Sequence, residues 1–155
     1  LSGAQFAYSQ VVDQLRAARE LQETQVRVLA ACDPANPYGG LLPWPTPEGE
    51  ADKKRSRPRR VAGGKIVLVD GLPAFFVEAS AKKLVTFPAL NTPALAQQAA
   101  QALTQLAATA KGKRLHIEQI DGQPASSSPW APLLQQVGFK TDWLHLVFYA
   151  SPSSP

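Results

Sequence analysis

The chain has 155 residues, of which 45% are hydrophobic, and its formal net charge is +4 at pH 7. This length suits one domain with its own core, and the one cysteine, Cys32, leaves no internal disulfide to form. Neither an apolar run of about 18 residues nor a secretory leader is visible, so we expect no membrane span, no membrane partner and a cytoplasmic location. Methionine is absent even at position 1, which suggests a piece of a longer protein.

The first predicted elements are a helix and a short strand. Between residues 6 and 21 apolar residues recur at helical spacing, which predicts an amphipathic helix. The β-leaning run 26–31 predicts a strand. The segment 33–40 ends this strand, because its two prolines and two glycines sustain no regular hydrogen-bond ladder. We therefore expect a structured turn there.

A charged stretch follows the turn. Residues 48–60 are poor in apolar side chains and cannot offset the entropy lost on ordering, which predicts a mobile loop over about 46–60. Six of the 16 Lys and Arg residues lie there, which leaves ten for the rest of the chain. The six are Lys53, Lys54, Arg55, Arg57, Arg59 and Arg60.

These six cations could neutralise the phosphates of DNA, and Trp44 or Tyr38 nearby could stack on a base. A solvated loop without a partner explains the cations equally well. The two aromatic residues could instead cover the core. Both interpretations stay open on the sequence alone.

The centre of the chain predicts a hairpin followed by the longest helix. The apolar runs 65–69 and 72–78 flank Asp70-Gly71, a pair favoured in two-residue turns between antiparallel strands. Residues 84–87 predict another strand. A helix over 91–110 follows, because Asn91-Thr92-Pro93 supplies a cap and a helix-compatible proline.

The last third predicts two strands around a short helix. A strand over 115–120 ends at Asp121-Gly122, and a brief helix over 132–137 ends at Gly138, where glycine is a common cap. The alternating aromatic and β-branched residues 143–149 predict a well-buried strand. Only the tail 151–155 is expected to be disordered.

Together these elements predict one α+β module over 1–150. We expect a twisted, antiparallel, barrel-like sheet covered by the N-terminal helix, the helix over 91–110 and the short third helix.

Motifs for catalysis are weak. Gly63-Gly64-Lys65 is followed by Ile66, which cannot ligate magnesium, so ATP hydrolysis is not expected in this chain. His116-Ile117-Glu118 matches half of a zinc-deaminase signature, but the cysteine pair that completes the ligand set is missing. A structural strand histidine is the favoured interpretation, and we expect no metal site.

Cys32 could be a nucleophile only with His116 or His145 beside it, and a packing role is favoured. Among the carboxylates, Asp70 and Asp121 precede glycine and are explained as turn residues, and Asp142 has no evident partner. We assign no catalytic residue.

The string Asp33-Pro-Ala-Asn-Pro-Tyr-Gly39, followed by Leu42-Pro-Trp-Pro45, resembles the C-terminal end of Lhr-type (large helicase-related) proteins. Weaker phrases at 67–71, 84–87, 117–122 and 137–139 follow in the same order. The shared positions are turn formers, which argue for a preserved backbone shape. They are Asp33, Pro34, Asn36, Pro37, Tyr38, Gly39, Asp70, Gly71, Asp121 and Gly122.

The resemblance implies a parent protein with an ATP-driven helicase core that acts on DNA and RNA:DNA hybrids, followed by winged-helix modules. ATP and magnesium are expected only in that core, and no cofactor is expected here. The terminal region would be associated with oligomerisation and similar to AlkZ-like DNA glycosylases, with uracil-DNA glycosylase activity in some members. Residues 143–155 depart from the family's short basic ending, so no active-site residue is carried over there.

Three functions follow as alternatives. The first is a non-motor accessory module that packs against other domains or subunits of a DNA-repair helicase and lends its basic loop to DNA. The second is part of a uracil-DNA glycosylase module, which needs a carboxylate or amide beside a pocket for a flipped base. The third is a stand-alone small binding domain.

Overall fold

The structure, a computed structural model, describes residues 8–19, 24–45, 57–110 and 112–150. Three α-helices lie in this part of the chain: α1 (Ser9–Arg19), α2 (Pro93–Thr109) and α3 (Ala131–Gln136). The strands are β1 (Val26–Ala30), β2 (Lys65–Val69), β3 (Leu72–Val77), β4 (Lys83–Thr86), β5 (Arg114–Ile117), β6 (Gln119–Ile120), β7 (Gln123–Pro124), β8 (Lys140–Asp142) and β9 (His145–Tyr149).

The described strands form two open sheets. Six strands are ordered β1-β2-β3-β4-β6-β7, and three are ordered β5-β9-β8. The predicted α+β class is confirmed, although the sheets do not close into a barrel. All described pairs are antiparallel except β4 with β6, which run parallel.

Helix α2 provides the main cover of the sheets. Its buried face is mostly alanine, with Leu103 at its centre, and these small side chains let the helix approach the strands closely. They join the main hydrophobic cluster with Phe75 of β3 and Ile117 of β5. In α1 the side chains whose burial is described are exposed or half-buried, with Val11 exposed and Val12 half-buried, and the cover that α1 is expected to give stays a prediction.

The central hairpin is confirmed. Asp70 and Gly71 both have positive φ, 49° and 80°, which is the type I′ geometry that matches the twist of the flanking strands. The Asp70 carboxylate also accepts a hydrogen bond of 2.7 Å from the Gln25 backbone N–H, which ties the turn to the start of β1. Asp121 and Gly122 repeat this geometry between β6 and β7.

The helix boundaries agree with the prediction to within a few residues. Thr92, rather than Asn91, is the N-cap of α2, and Pro93 is its first residue. At the end of α3, Gly138 adopts a φ of 103°, as expected for a terminating glycine. None of the described helices combines the length and apolarity that crossing a membrane requires.

Two predicted strands need correction. The run 115–120 is divided between β5 and β6, which belong to different sheets, because the chain leaves one sheet and enters the other at Glu118. The run 143–149 becomes a strand only at His145. Trp143 is 87% exposed in a two-residue turn between β8 and β9, because residues 140–142 pair back onto the last strand.

Two expected unstructured regions lie largely outside the described residues. The tail 151–155 is not described, and of the expected loop over 46–60 only residues 57–60 are described. These four residues belong to neither a helix nor a strand.

Candidate nucleic-acid interface

The loop 31–45 after β1 is held by side chains of its own. The Asp33 carboxylate accepts a hydrogen bond of 2.8 Å from the Ala35 backbone N–H, as its predicted turn role requires. Asn36 is buried; its Nδ2 donates to the Ala31 carbonyl at 2.8 Å and its Oδ1 accepts from the Tyr38 N–H at 3.1 Å. The buried amide therefore fixes the loop from within.

Tyr38 and Gly39 fix the outer half of the loop. The Tyr38 hydroxyl donates to the Gly71 carbonyl at 3.0 Å, which joins the loop to the β2–β3 turn, and burial raises the pKa of this hydroxyl. Gly39, one of the turn formers, has a positive φ of 74°. A Cβ there would lie 2.5 Å from Nε1 of Trp44, so glycine also makes room for the indole.

Trp44 packs inside an aromatic cluster. Its ring stacks on Phe87 with centroids 6.0 Å apart and on Tyr38 at 6.1 Å, and it meets Phe76 edge-on at 5.7 Å. The ring is half-buried. The structure agrees with the interpretation in which Trp44 covers the core, and stacking of Trp44 on a base stays a prediction.

Arg60 is set apart from the other cations of its stretch. One of its terminal nitrogens, Nη1, donates to the Asn36 carbonyl and to the Tyr38 carbonyl at 3.3 Å, and Nη2 donates to the Asp33 carbonyl at 3.1 Å. A planar guanidinium carries five N–H donors in a fixed fork, whereas a lysine ammonium carries three on one nitrogen and cannot reproduce this geometry. Arg60 therefore anchors the loop 31–45, a role that its place in a run of similar cations does not reveal.

The other cations have different settings. Arg57 and Arg59 are exposed beside this anchor, whereas Lys53, Lys54 and Arg55 lie outside the described residues. Their contact with DNA stays a prediction. On the loop itself, Leu41 is 90% exposed and Leu42 is 47% exposed, so the fixed backbone presents two apolar side chains to solvent.

The candidate nucleophile Cys32 is exposed, so the favoured packing role is wrong. Cys32 follows β1 of the six-stranded sheet, whereas His116 and His145 lie in the three-stranded sheet and hydrogen-bond each other at 2.9 Å. The histidine pair is a cross-strand contact that the sequence analysis missed, since the two histidines are 29 positions apart in the sequence.

The described residues include no group of three or more His, Cys, Asp or Glu side chains that could hold a metal ion. Two carboxylates have structural partners: Glu118 contacts the Lys82 ammonium at 2.8 Å, and Asp121 accepts from the Thr86 hydroxyl at 2.6 Å and from the Thr86 N–H at 3.0 Å. The hydrogen bond from Lys82 is the main cause that lowers the pKa of Glu118.

A groove of about 400 Å³ lies between β1 and α2. Its polar lining is Arg27 with the amides of Gln98, Gln101 and Gln105, and its apolar lining includes Val26. Amides and a guanidinium can hydrogen-bond a base or a phosphate. The described lining contains no carboxylate that could act as an acid or base.

Comparison with known proteins identifies relatives of the chain. A protein of Mycolicibacterium smegmatis named "Lhr helicase/ probable uracil glycosylase" is 43% identical over 128 residues, which cover 79% of this chain and 8% of that protein. The "Lhr helicase/uracil glycosylase" of Escherichia coli is 31% identical over 153 residues, which cover 92% of this chain and 10% of that protein. No profile of a known protein family matches the chain.

The chain belongs to the Lhr family. It spans a tenth or less of the length of the curated Lhr proteins that it matches, and the match is consistent with the C-terminal domain that the sequence motifs indicate. The residues on which the sequence resemblance to Lhr proteins rests lie largely in the loop 31–45. Its positions Asp33, Asn36, Tyr38 and Gly39 keep one backbone shape in place.

Proposed function

We propose that the chain is a non-motor, C-terminal accessory module of an Lhr-type helicase. It packs against neighbouring domains or sister subunits of that protein and contacts DNA through the basic stretch 53–60. The observation that carries the proposal is the loop 31–45, which is fixed from beneath by Arg60 and Asn36 while Leu41 and Leu42 remain exposed.

A rigid loop with exposed apolar side chains suits protein contact. Because the backbone of the loop is already fixed, a partner can bury these leucine side chains without ordering the chain further. Less entropy is therefore lost on binding. Leu72, which directly follows the turn that Tyr38 contacts, is also 56% exposed. We call Leu41, Leu42 and Leu72 the leucine surface.

The basic stretch suits phosphate contact. Arg57 and Arg59 are exposed and have no carboxylate partner among the described residues. Three further cations, Lys53 to Arg55, precede them in the sequence. Each phosphate that such a cation neutralises releases a counterion and makes binding more sensitive to salt.

Sedimentation of this chain over a concentration series tests the packing function. With sister subunits as partners, the 16.6 kDa chain self-associates, and replacement of the three residues of the leucine surface by serine keeps it monomeric. Val61→Ser is the control, because Val61 is exposed and lies outside the leucine surface. A chain that stays monomeric at every concentration would exclude self-contact and leave neighbouring domains as the partner.

The names of both relatives favour a second candidate, part of a uracil-DNA glycosylase module. The groove between β1 and α2 offers amides and Arg27 to a flipped base, so a catalytic carboxylate would come from outside its described lining. Incubation of the chain with a uracil-containing strand, followed by alkaline cleavage at abasic sites, tests this candidate. Strand cleavage supports a complete site in this chain, and its absence means that the chain alone lacks one.

A further inference from the structure

The three-stranded sheet β5-β9-β8 has one buried and one outward face. Leu115, Ile117 and Leu146 belong to the main hydrophobic cluster and define the buried face. Side chains alternate between the two faces of a strand, and directly opposed residues share a face. The residues that alternate with this apolar set therefore point away from the core.

The strand register assigns the outward face. Arg114 lies opposite Tyr149, and Val147 lies between His116 and Lys140. Arg114 and Lys140 are exposed, and Tyr149 is 60% exposed. We call Arg114, His116, Lys140 and Tyr149 the cationic face.

The acidic groups lie beyond these two rows of residues. Asp142 lies opposite His145, one register position beyond the position of Lys140 and Val147 on this face. Glu118 forms an ion pair with Lys82 at 2.8 Å. The cationic face itself contains two permanent positive charges, one imidazole and one phenol. It is therefore complementary to an anion with an attached planar group.

The imidazole of the cationic face is held in place. His116 Nε2 and His145 Nδ1 are 2.9 Å apart, so one nitrogen donates its hydrogen to the other and the rings are fixed across β5 and β9. Val147 is 4% exposed although it joins none of the hydrophobic clusters of the described residues. Val147 is therefore covered by residues outside those clusters.

We propose that the cationic face binds single-stranded nucleic acid, with Tyr149 stacked on a base and Arg114 and Lys140 bound to phosphates on either side. Strands β5 and β8 flank β9 and stand about 10 Å apart, so their cations can follow a backbone that passes over the ring. An exposed aromatic ring between cations is the arrangement that binds single strands without sequence preference. A duplex suits it less, because paired bases already stack on each other.

Fluorescence anisotropy of this 155-residue chain with a dye-labelled ten-nucleotide oligothymidylate tests the proposal. Tyr149→Ala should weaken binding by about 5- to 100-fold through loss of stacking, whereas Tyr149→Phe should stay within about twofold because it keeps the ring. Arg114→Ala/Lys140→Ala should reduce the log–log salt slope by about 1.4, which is two phosphate contacts on a single strand.

Arg16→Ala/Lys83→Ala is the matched control, because it removes two exposed cations that lie outside the three-stranded sheet and should leave the salt slope unchanged. All of these side chains are exposed, and circular dichroism checks that each variant is folded. The same series in a chain whose Lys53, Lys54, Arg55, Arg57 and Arg59 are serine separates this surface from the basic stretch. The weaker binding of Tyr149→Ala and the lower salt slope of Arg114→Ala/Lys140→Ala should appear both in the unsubstituted chain and in this five-serine variant.

Three results would overturn the proposal. The first is unchanged binding by Tyr149→Ala and by Arg114→Ala/Lys140→Ala, or no oligothymidylate binding in either background. The second is equal or tighter binding of a duplex of the same length. The third is a change of sedimenting mass in Tyr149→Ala with no loss of oligonucleotide binding, which would assign the face to a protein partner. The first two of these results do not bear on the leucine surface.

Discussion

Arg60 and Arg59 are neighbours in the sequence with different surroundings: the Arg60 guanidinium donates to three backbone carbonyls of the loop 31–45, whereas Arg59 is exposed. Arg60→Ala should therefore lower the free energy of unfolding by about 1.5–3 kcal/mol, the range for hydrogen bonds to a charged group. Arg60→Lys should recover only part of this loss.

Urea denaturation measures this difference, with Arg59→Ala as the control, which should change the free energy of unfolding by less than about 0.5 kcal/mol. Equal stability of Arg60→Ala and Arg59→Ala would contradict the anchoring role of Arg60.

Gly39 and Gly112 have nearly the same backbone conformation, with φ of 74° and 77°, but only Gly39 lies against Trp44. Gly112→Ala should cost about 1–2 kcal/mol, the strain of a left-handed residue. Gly39→Ala should cost about 1–3 kcal/mol more, because the new Cβ displaces the indole from a packed cluster.

Thermal unfolding followed by circular dichroism measures both glycine variants. Equal midpoints for Gly39→Ala and Gly112→Ala would show that Trp44 yields freely, contrary to its place among Phe76, Phe87 and Tyr38.

The turn roles of single residues are predictable from the sequence, whereas their distant partners are not. Asp33 and Gly39 act within two or three residues of themselves, so their chemistry specifies the turn. Arg60 acts 22 to 27 residues away, and the His116–His145 pair spans 29 residues. Such contacts depend on which strands become neighbours.

At the scale of elements, the ion pair of Lys82 and Glu118 joins the start of β4 to the crossing from β5 to β6, where the Lys82 carbonyl also accepts the Glu118 N–H at 2.7 Å. The hydrogen bond from Lys82 lowers the pKa of Glu118 in the folded state. A lowered carboxyl pKa stabilises the fold above the unfolded-state value, and this contribution disappears as pH falls through the folded-state value.

The loss of unfolding free energy caused by Lys82→Met should therefore be largest at neutral pH. It should shrink below about pH 4, near and below the ordinary glutamate pKa. Chemical denaturation from pH 7 to pH 3 measures it. A stability difference that grows on acidification would contradict the assigned ion pair.

Trp143 is an exposed residue with a φ of 52° in the turn between β8 and β9. Glycine tolerates this conformation better than alanine, so Trp143→Gly should be more stable than Trp143→Ala by about 1 kcal/mol. Thermal midpoints of the two variants decide this. A more stable alanine variant would show that the turn imposes no strain on residue 143.

Elements that carry their own turn chemistry are predicted well. The Asp70-Gly71 hairpin, α2 after Pro93 and the end of α3 at Gly138 all agree with the sequence, since proline and glycine constrain φ locally. The β8–β9 turn is missed because Trp143 and Leu144 are not turn formers.

At the scale of the whole molecule, the α+β class is predictable because alternating and helical periodicities appear in separate segments. The division into two sheets and the parallel pairing of β4 with β6 are not, because periodicity does not specify partners. The same holds for function: the residues of the loop 31–45 already resemble a known family in the sequence, whereas the two candidate contact surfaces emerge only when distant strands and loops are assembled.

The proposed accessory module contacts DNA through its basic stretch. The most direct test is DNA binding by the chain across a salt series, compared with a variant in which Lys53, Lys54, Arg55, Arg57 and Arg59 are serine and the anchor Arg60 is kept. We predict that the unsubstituted chain binds with a salt slope steeper by about 0.9 for each duplex phosphate that the stretch neutralises. Identical slopes for the two chains would contradict DNA contact by the basic stretch.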